Sequence, residues 1–301
     1  MKETRTIRRR AFSLIAASVF FVAACGGSSD SADTTSPEAS LRIVSLSPTA
    51  TEMLYAIGAG DQVVAVDSLS TYPAEVEPKV TKISAFEPSA EAILEFEPDV
   101  VLISNDMNKI SEQLTTADPD ITVWTGAAAA SLEDVYSQIT QLGELTGRSD
   151  AAEDVVTDMK TRIDDAVPDE SDSESFSVYY ELDNTYYSIT SNTFVGSLLG
   201  KFGLKSIADG VEEGNDYPQL SAEAIVAADP AIIFLADTKC CQQTAATVAA
   251  RPGWADIAAV KNGNVVELDD DIASRWGPRL VDLIEQIAAA RDAMTETNAA
   301  K

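Results

Sequence analysis

The 301-residue sequence contains no histidine and only three cysteines. Without histidine, the chain cannot form a Ser-His-Asp triad, a Cys-His pair or a zinc site with histidine ligands. No lysine has a serine three positions before it, so a Ser-x-x-Lys nucleophile is excluded as well. An enzyme made from this sequence would have to work with carboxylates alone, as glycosidases can.

Basic residues are also scarce, with 21 lysines and arginines against 49 aspartates and glutamates and a formal charge of -28. Such a negative field disfavours nucleic acids and anionic membrane surfaces as partners. An acidic, solvated surface suited to a salty exterior explains the same charge without any partner. The length and the hydrophobic content of 45% are sufficient for two domains with cores of their own.

Residues 1–24 have the pattern of an export signal, in which basic residues precede an apolar run that is too short for a permanent membrane span. The run ends in the sequence VAAC, which resembles a bacterial lipobox, so we expect Cys25 to become the acylated N-terminus. An ordinary signal peptide with an unrelated cysteine is the alternative, and Arg9-Arg10 also allows twin-arginine export. Residues 25–40 are rich in Gly, Ser, Asp and Thr, which predicts a flexible tether.

A repeated pattern organises the remaining chain. Residues 89–104 and 221–236 each contain a short helix capped by serine, a proline that ends it, and an apolar run typical of a strand buried on both faces. This order is half of a parallel α/β unit. We therefore predict an α/β fold with two similar lobes, at 41–147 and 169–301, and a single connecting helix at 148–168.

Apolar periodicity and turn residues predict the other elements. One segment, 186–190, has the pattern of a strand returning antiparallel to the strand at 176–180. Since ligands bind at the carboxyl ends of parallel strands, we expect Tyr72, Phe86, Asn105 and Trp124 near one such edge. The other predicted strands are 42–46, 63–66, 100–104, 121–124, 231–236 and 265–268, and the other predicted helices are 48–58, 149–167 (capped by Ser149), 194–202 and one beginning near 280.

Four stretches resemble the helical-backbone class (class III) of ABC-importer substrate-binding proteins, which serves vitamin B12, ferric siderophores and haem. These stretches are 46–52, 91–99, 217–223 and 274–279, and they occur in both lobes in the family's order. The pattern is most similar to the B12-binding branch. The resemblance implies two Rossmann-like lobes with mostly parallel sheets, joined by one long helix, with the ligand in the cleft between them.

The resemblance also implies roles for individual residues. Glu91 and Glu223 match the family's two docking carboxylates, one in each lobe, which pair with arginines of the permease. A glutamate in a first helical turn also complements the helix dipole, which is the simpler explanation for either residue alone.

For the ligand cleft we predict aromatic side chains that supply apolar area and a few polar groups that orient the ligand. Phe86 could equally belong to a core, as could Trp124, and Asp271 could simply form an ion pair with Arg275. Tyr217, Asp271 and Arg275 match residues of the B12-binding branch. The full predicted set is Tyr72, Phe86, Asn105, Tyr217, Asp271, Arg275 and Trp276.

Cys240 and Cys241 are the remaining cysteines if Cys25 is acylated. Adjacent cysteines in an oxidising exterior can form a vicinal disulfide, although two free thiols or intermolecular pairing are also compatible with the sequence.

The scarcity of basic residues disfavours catecholate siderophores, and the absence of histidine disfavours bare zinc or manganese as the ligand. We expect a corrinoid, with a ferric hydroxamate siderophore or haem as the alternative. The expected protein is a monomer without catalytic residues, resident metal or cofactor, which is held at the membrane by its lipid anchor and delivers its ligand to a permease with a cytoplasmic ATPase. The rival classes are a secreted carboxylate-only hydrolase and a surface adhesin or scaffold.

Overall fold

The structure is a computed structural model that describes residues 40–168 and 175–299, with side chains described as far as residue 295. The predicted signal at 1–24, Cys25 and nearly all of the predicted tether lie outside the described residues. None of the helices in the described ranges is both long and apolar enough to cross a membrane.

The described chain alternates strands and helices. The strands are β1 (Ile43–Leu46), β2 (Val63–Val66), β3 (Val100–Ile103), β4 (Thr122–Thr125), β5 (Phe176–Glu181), β6 (Leu204–Ser206), β7 (Ile232–Leu235) and β8 (Val265–Glu267). The α-helices are α1 (Pro48–Ala56), α2 (Ala90–Leu94), α3 (Ile110–Ala117), α4 (Leu132–Thr146), α5 (Ser149–Ala166), α6 (Phe194–Lys201), α7 (Ala222–Ala228), α8 (Ala245–Ala249), α9 (Ala258–Asn262), α10 (Asp270–Ala273) and α11 (Leu280–Ala299).

The strands form two parallel sheets with the same topology. The first has the order β2-β1-β3-β4 and the second has the order β6-β5-β7-β8. Every pairing between neighbouring strands is parallel. The predicted α/β fold with two lobes is therefore confirmed, and α5 follows the first sheet and precedes the second, as expected of a connecting helix.

The central strands are buried on both faces, because their side chains alternate between two cores. In β3, Val100 and Leu102 belong to a cluster that also contains Val178 and Phe234 of the second sheet and residues of α5 and α11. The opposite faces of the two sheets contribute to separate clusters, one for each lobe. A single apolar core thus joins the two lobes, and each lobe has a second core of its own.

The two repeat copies fold alike. Ser89 and Ser221 accept hydrogen bonds from the backbone N–H of Ala92 at 3.4 Å and Ala224 at 3.1 Å, so both act as N-caps, as predicted. After each helix, one residue takes a left-handed φ of 46° immediately before the proline, Glu97 in the first copy and Asp229 in the second.

Two expectations about local structure were wrong, and one strand was missed. Ser149 is the first residue of α5 rather than its cap, and the short strand β6 was not predicted. The segment 186–190 is not a strand paired with β5. The N–H of Leu182 donates to the carbonyl of Tyr187, which closes a turn, but the following residues pair with 216–219, and only Tyr187 forms an isolated bridge there, with Gln219.

Candidate functional site

One segment of the C-terminal lobe crosses to the N-terminal lobe. It comprises residues 270–279, follows β8, and is called the crossing segment below. Arg275 Nη1 donates to Glu52 Oε1 at 2.8 Å, and Arg279 Nε donates to Glu52 Oε2 at 2.9 Å. Trp276 Nε1 donates to Gln138 Oε1 on α4 at 3.0 Å. Three side chains of the crossing segment therefore bind residues of the other lobe.

Glu52 is the centre of this contact and was not predicted as a site residue. It lies in α1, where Pro48 follows the N-cap Ser47, and its side chain is only 2% exposed. Gly277 lies beside it, and an added Cβ there would be in ordinary van der Waals contact with Glu52 Oε2, at 3.5 Å. The available signal in the sequence was a lone acid within the otherwise uncharged helix α1.

A cavity of about 320 Å³ lies against the crossing segment. Three residues predicted for the cleft line it, namely Tyr217, Arg275 and Trp276. Tyr217 is 55% exposed, which leaves its ring available to a ligand. The N-terminal lobe contributes Ala128 and Ala129, so the cavity is walled by both lobes.

A smaller cavity of about 130 Å³ lies in the N-terminal lobe, and two other predicted residues, Phe86 and Asn105, line it. Leu69 also lines this cavity, and its carbonyl accepts a hydrogen bond of 3.1 Å from Arg275 Nη2. Since Arg275 lines the larger cavity, the two cavities adjoin through this contact. The two cavities together are called the interlobe cleft below, and the N-terminal lobe alone lines the smaller one.

Two of the predicted residues lie apart from both cavities. Asp271 does not line either, but its Oδ1 accepts a hydrogen bond of 2.8 Å from Arg275 Nη2, which is the simple ion pair considered above. Tyr72 lines a third, open pocket with Tyr55, and the guanidinium of Arg279 lies 3.9 Å from the centre of the Tyr72 ring. The structure therefore does not bring Tyr72 together with the other predicted cleft residues.

The cleft carries little net charge. Among the described residues that line the two cavities, only Arg275 and Asp67 are charged. The charge of Arg275 is balanced by Glu52 and Asp271. Such a site can hold a neutral or weakly charged ligand, whereas a ligand with several negative charges would lack cationic partners.

Glu91 and Glu223 occupy equivalent positions, each as the second residue of its helix, α2 or α7. Both side chains are exposed, and neither forms an ion pair within the described part of the chain. This exposure is what a docking role requires, and it leaves both carboxylates free to meet a partner's cations.

Cys240 and Cys241 are free thiols in the structure, so it does not contain the vicinal disulfide. The N–H of Cys240 donates to Asp270 Oδ2 at 2.8 Å, which ties the loop after β7 to the crossing segment. Neither cysteine lines the interlobe cleft.

A buried acidic pair in the C-terminal lobe was also missed. Glu181, at the end of β5, is fully buried and forms a bidentate ion pair with Arg251. Asp237 is buried close to it, and neither of its carboxyl oxygens has a hydrogen-bond partner within 40–168 and 175–299. Burial, and then the neighbouring Glu181 carboxylate, raise the pKa of Asp237 to about 7.

This raised pKa predicts a pH-dependent stability. Because folded Asp237 holds its proton to a higher pH than in the unfolded chain, its stabilising contribution is complete below pH about 4 and is lost as pH rises through about 7. The charged groups that face Asp237 are Glu181 and Asp270, which raise the pKa of Asp237, and Arg251, which lowers it. We expect the Tm of the wild type to fall relative to that of D237N between pH 5 and pH 8. The exposed variant D165N is the control, and parallel curves for wild type and D237N would contradict the assignment.

Comparisons with known proteins agree with this architecture. The family model described as periplasmic binding protein matches residues 43–272. A Bacillus subtilis ABC transporter substrate-binding lipoprotein, YvrC, is 34% identical over 82% of this chain and 78% of its own length. A cobalamin-binding protein of Halobacterium salinarum is 33% identical over 83% of this chain and 69% of its own.

Solved structures give the same result. The periplasmic heme-binding protein RhuT from Roseiflexus has a TM-score of 0.71 and 25% identity, and the match covers 85% of this chain and all of RhuT (100%). The two parallel sheets, the interlobe cleft and these similarities lead to one conclusion. The chain belongs to the periplasmic binding protein family.

Proposed function

We propose that this protein is the extracytoplasmic substrate-binding protein of an ABC importer, anchored to the membrane through an acylated Cys25, and that it captures a corrinoid in its interlobe cleft. The observation that carries the ligand assignment is the charge of that cleft, in which Arg275 is neutralised and Asp67 is the only other charged lining residue among those described. The cobalamin-binding relative from Halobacterium supports the same class of ligand.

The aromatic residues of the cleft suit a large, flat ligand. Tyr217 and Phe86 are 55% and 63% exposed, an unusual degree for large apolar groups that line cavities. A corrinoid ring offers apolar faces to such side chains, and its peripheral amides are neutral hydrogen-bonding groups. Delivery to the permease follows from docking through Glu91 and Glu223, which leaves the ligand chemically unchanged.

A ferric hydroxamate siderophore is the second candidate, because it also satisfies a cleft without surplus positive charge. Haem is a third, supported by the name of the Roseiflexus relative, and tyrosine can ligate haem iron in place of histidine. The carboxylates of haem fit this cleft less well, since Asp67 would face them without a free cation nearby.

The test is to purify the protein from its native host and to record its visible spectrum, since corrinoid, ferric hydroxamate and haem absorb differently. Titration of the ligand-free protein with cyanocobalamin should then give saturable quenching of tryptophan fluorescence with no chemical change in the ligand. Turnover of the added compound would instead favour the hydrolase. Absence of binding by all three ligand classes would favour an adhesin or scaffold.

Replacing Tyr217 with Ala is expected to weaken corrinoid binding about tenfold or more, because the exposed ring loses its contact area with the ligand. The Tm should change little, since the ring is largely exposed in the ligand-free protein. Tyr187→Ala is the matched control, as Tyr187 is 40% exposed in the same lobe but lines neither cavity. Equal affinities for the two variants would remove Tyr217 from the site.

A further inference from the structure

Asp67 is a buried carboxyl with an unused hydrogen-bonding position. It directly follows β2, and its side chain is fully buried, with 0% exposure. Oδ1 accepts a hydrogen bond of 2.9 Å from the N–H of Ser70. Oδ2 has no hydrogen-bond partner among residues 40–168 and 175–299. An orphaned buried carboxyl oxygen is costly, and a hydrogen-bond donor brought by a ligand would remove that cost.

The surroundings of Asp67 show where that partner would come from. Asp67 lines the 130 Å³ cavity of the interlobe cleft, together with the exposed side chains of Leu69 and Phe86. Most other lining residues are apolar, and Ser104 and Asn105 are the polar exceptions. At roughly 30 Å³ for each water molecule in the liquid, the cavity has room for a group of a few heavy atoms.

We propose that this cavity is a binding subsite in which Asp67 Oδ2 accepts a hydrogen bond from a nitrogen donor, an amide or ammonium N–H, carried at the periphery of the ligand. The subsite rests on the proposed function, since it requires a ligand in the interlobe cleft. A donor N–H supplies what Oδ2 lacks, and the apolar lining strengthens the bond by excluding water. A carboxylate at the same place would meet Asp67 as a like charge.

The hydrogen bond from Ser70 determines how the side-chain amide of an asparagine in place of Asp67 would be oriented. In D67N the oxygen of the new side-chain amide would face the N–H of Ser70, so the amide NH2 group would take the place of Oδ2 and offer a donor where an acceptor stood. The N–H of the ligand would then face the NH2 group of the asparagine, and two donors cannot form a hydrogen bond. We expect D67N to raise the Kd for cyanocobalamin about tenfold or more.

Asp237→Asn is the matched control. Asp237 is also a fully buried aspartate that follows a strand and has unpartnered carboxyl oxygens within the described residues, but it lines neither cavity of the cleft. D237N should bind cyanocobalamin as the wild type does. Thermal unfolding of both variants at pH 7.5 establishes that each is folded before affinities are compared.

A second measurement uses the wild-type protein alone. The monocarboxylic acids of cyanocobalamin carry a carboxylate in place of one peripheral amide, and at least one isomer should bind the wild type tenfold or more weakly than cyanocobalamin. D67N should reduce that discrimination, because its NH2 group can donate to the carboxylate.

The outcomes separate the subsite from the proposed function. If the wild type binds cyanocobalamin but D67N binds it equally well, or if every monocarboxylic isomer binds the wild type as tightly as the amide, the subsite is wrong and the function stands. If the wild type does not bind cyanocobalamin at all, the corrinoid function is wrong and the subsite falls with it.

Discussion

Replacing Glu52 with Gln is expected to lower the free energy of unfolding by about 3–5 kcal/mol, because the guanidinium group of Arg279 would stay buried without its counter-charge and Arg275 would keep only Asp271. Both guanidinium groups bond to the same carboxylate, and the side chains of Arg275 and Arg279 are only 10% and 15% exposed. The measurement is urea unfolding followed by circular dichroism at pH 7.5. Glutamine keeps the shape of the side chain, so the loss reports charge rather than packing.

The control for this prediction is E153Q, which removes the same charge from an exposed position in α5 and should change the free energy of unfolding by less than about 0.5 kcal/mol. A double-mutant cycle between E52Q and an Arg279→Met variant should show coupling, because each change alone breaks the same ion pair. If E52Q were as stable as E153Q, Glu52 would not hold the lobes together.

Reversing the charges of Glu91 and Glu223 together is expected to abolish uptake of the ligand by whole cells, while the purified E91K/E223K variant binds the ligand with unchanged affinity. Both carboxylates are exposed at equivalent helix starts and lie outside the two cavities of the cleft. A permease that presents arginines to both lobes would then meet lysines, and like charges at an interface cost several kcal/mol. Uptake assays and equilibrium binding on the same variant separate the two properties.

The matched control reverses two other exposed glutamates, one in each lobe, in the variant E133K/E213K. Glu133 also lies in the first turn of its helix, α4, so this control includes the loss of a favourable helix-dipole interaction. Normal uptake by the control and none by E91K/E223K would establish docking. If the two variants supported equal uptake, the favourable interaction with the helix dipole would remain as the role of Glu91 and Glu223. If E91K/E223K bound the ligand more weakly, the two residues would belong to the binding site.

Local patterns were sufficient to predict most of the fold. The repeated serine cap, proline stop and apolar run fixed the equivalence of the two sheets, because caps and burial on both faces are read from adjacent residues. The false strand at 186–190 shows the limit of such patterns. Alternating residues there are compatible with several partners, and the hydrogen bonds of Ser188 and Thr190 go to residues 216 and 218 instead of β5.

The site was less predictable, because its contacts join residues far apart in the chain. Glu52 lies 223 residues from Arg275 and 227 from Arg279, so no local pattern reveals the pairing. Asp67 resembles any polar residue that follows a strand until its burial and its missing partner are known. Tyr217 and Arg275 were assigned to the cleft through the family resemblance, whereas Tyr72 was assigned from its place after a strand and lies against Arg279 instead.

The crossing segment has two roles, because Arg275 both lines the cleft and helps to hold the two lobes together. Substitutions there would change ligand preference only at the expense of structural integrity. If the cleft binds the ligand, we expect changes of ligand preference to be tolerated best at Phe86, Asn105 and Tyr217, because these residues are exposed and do not join the lobes.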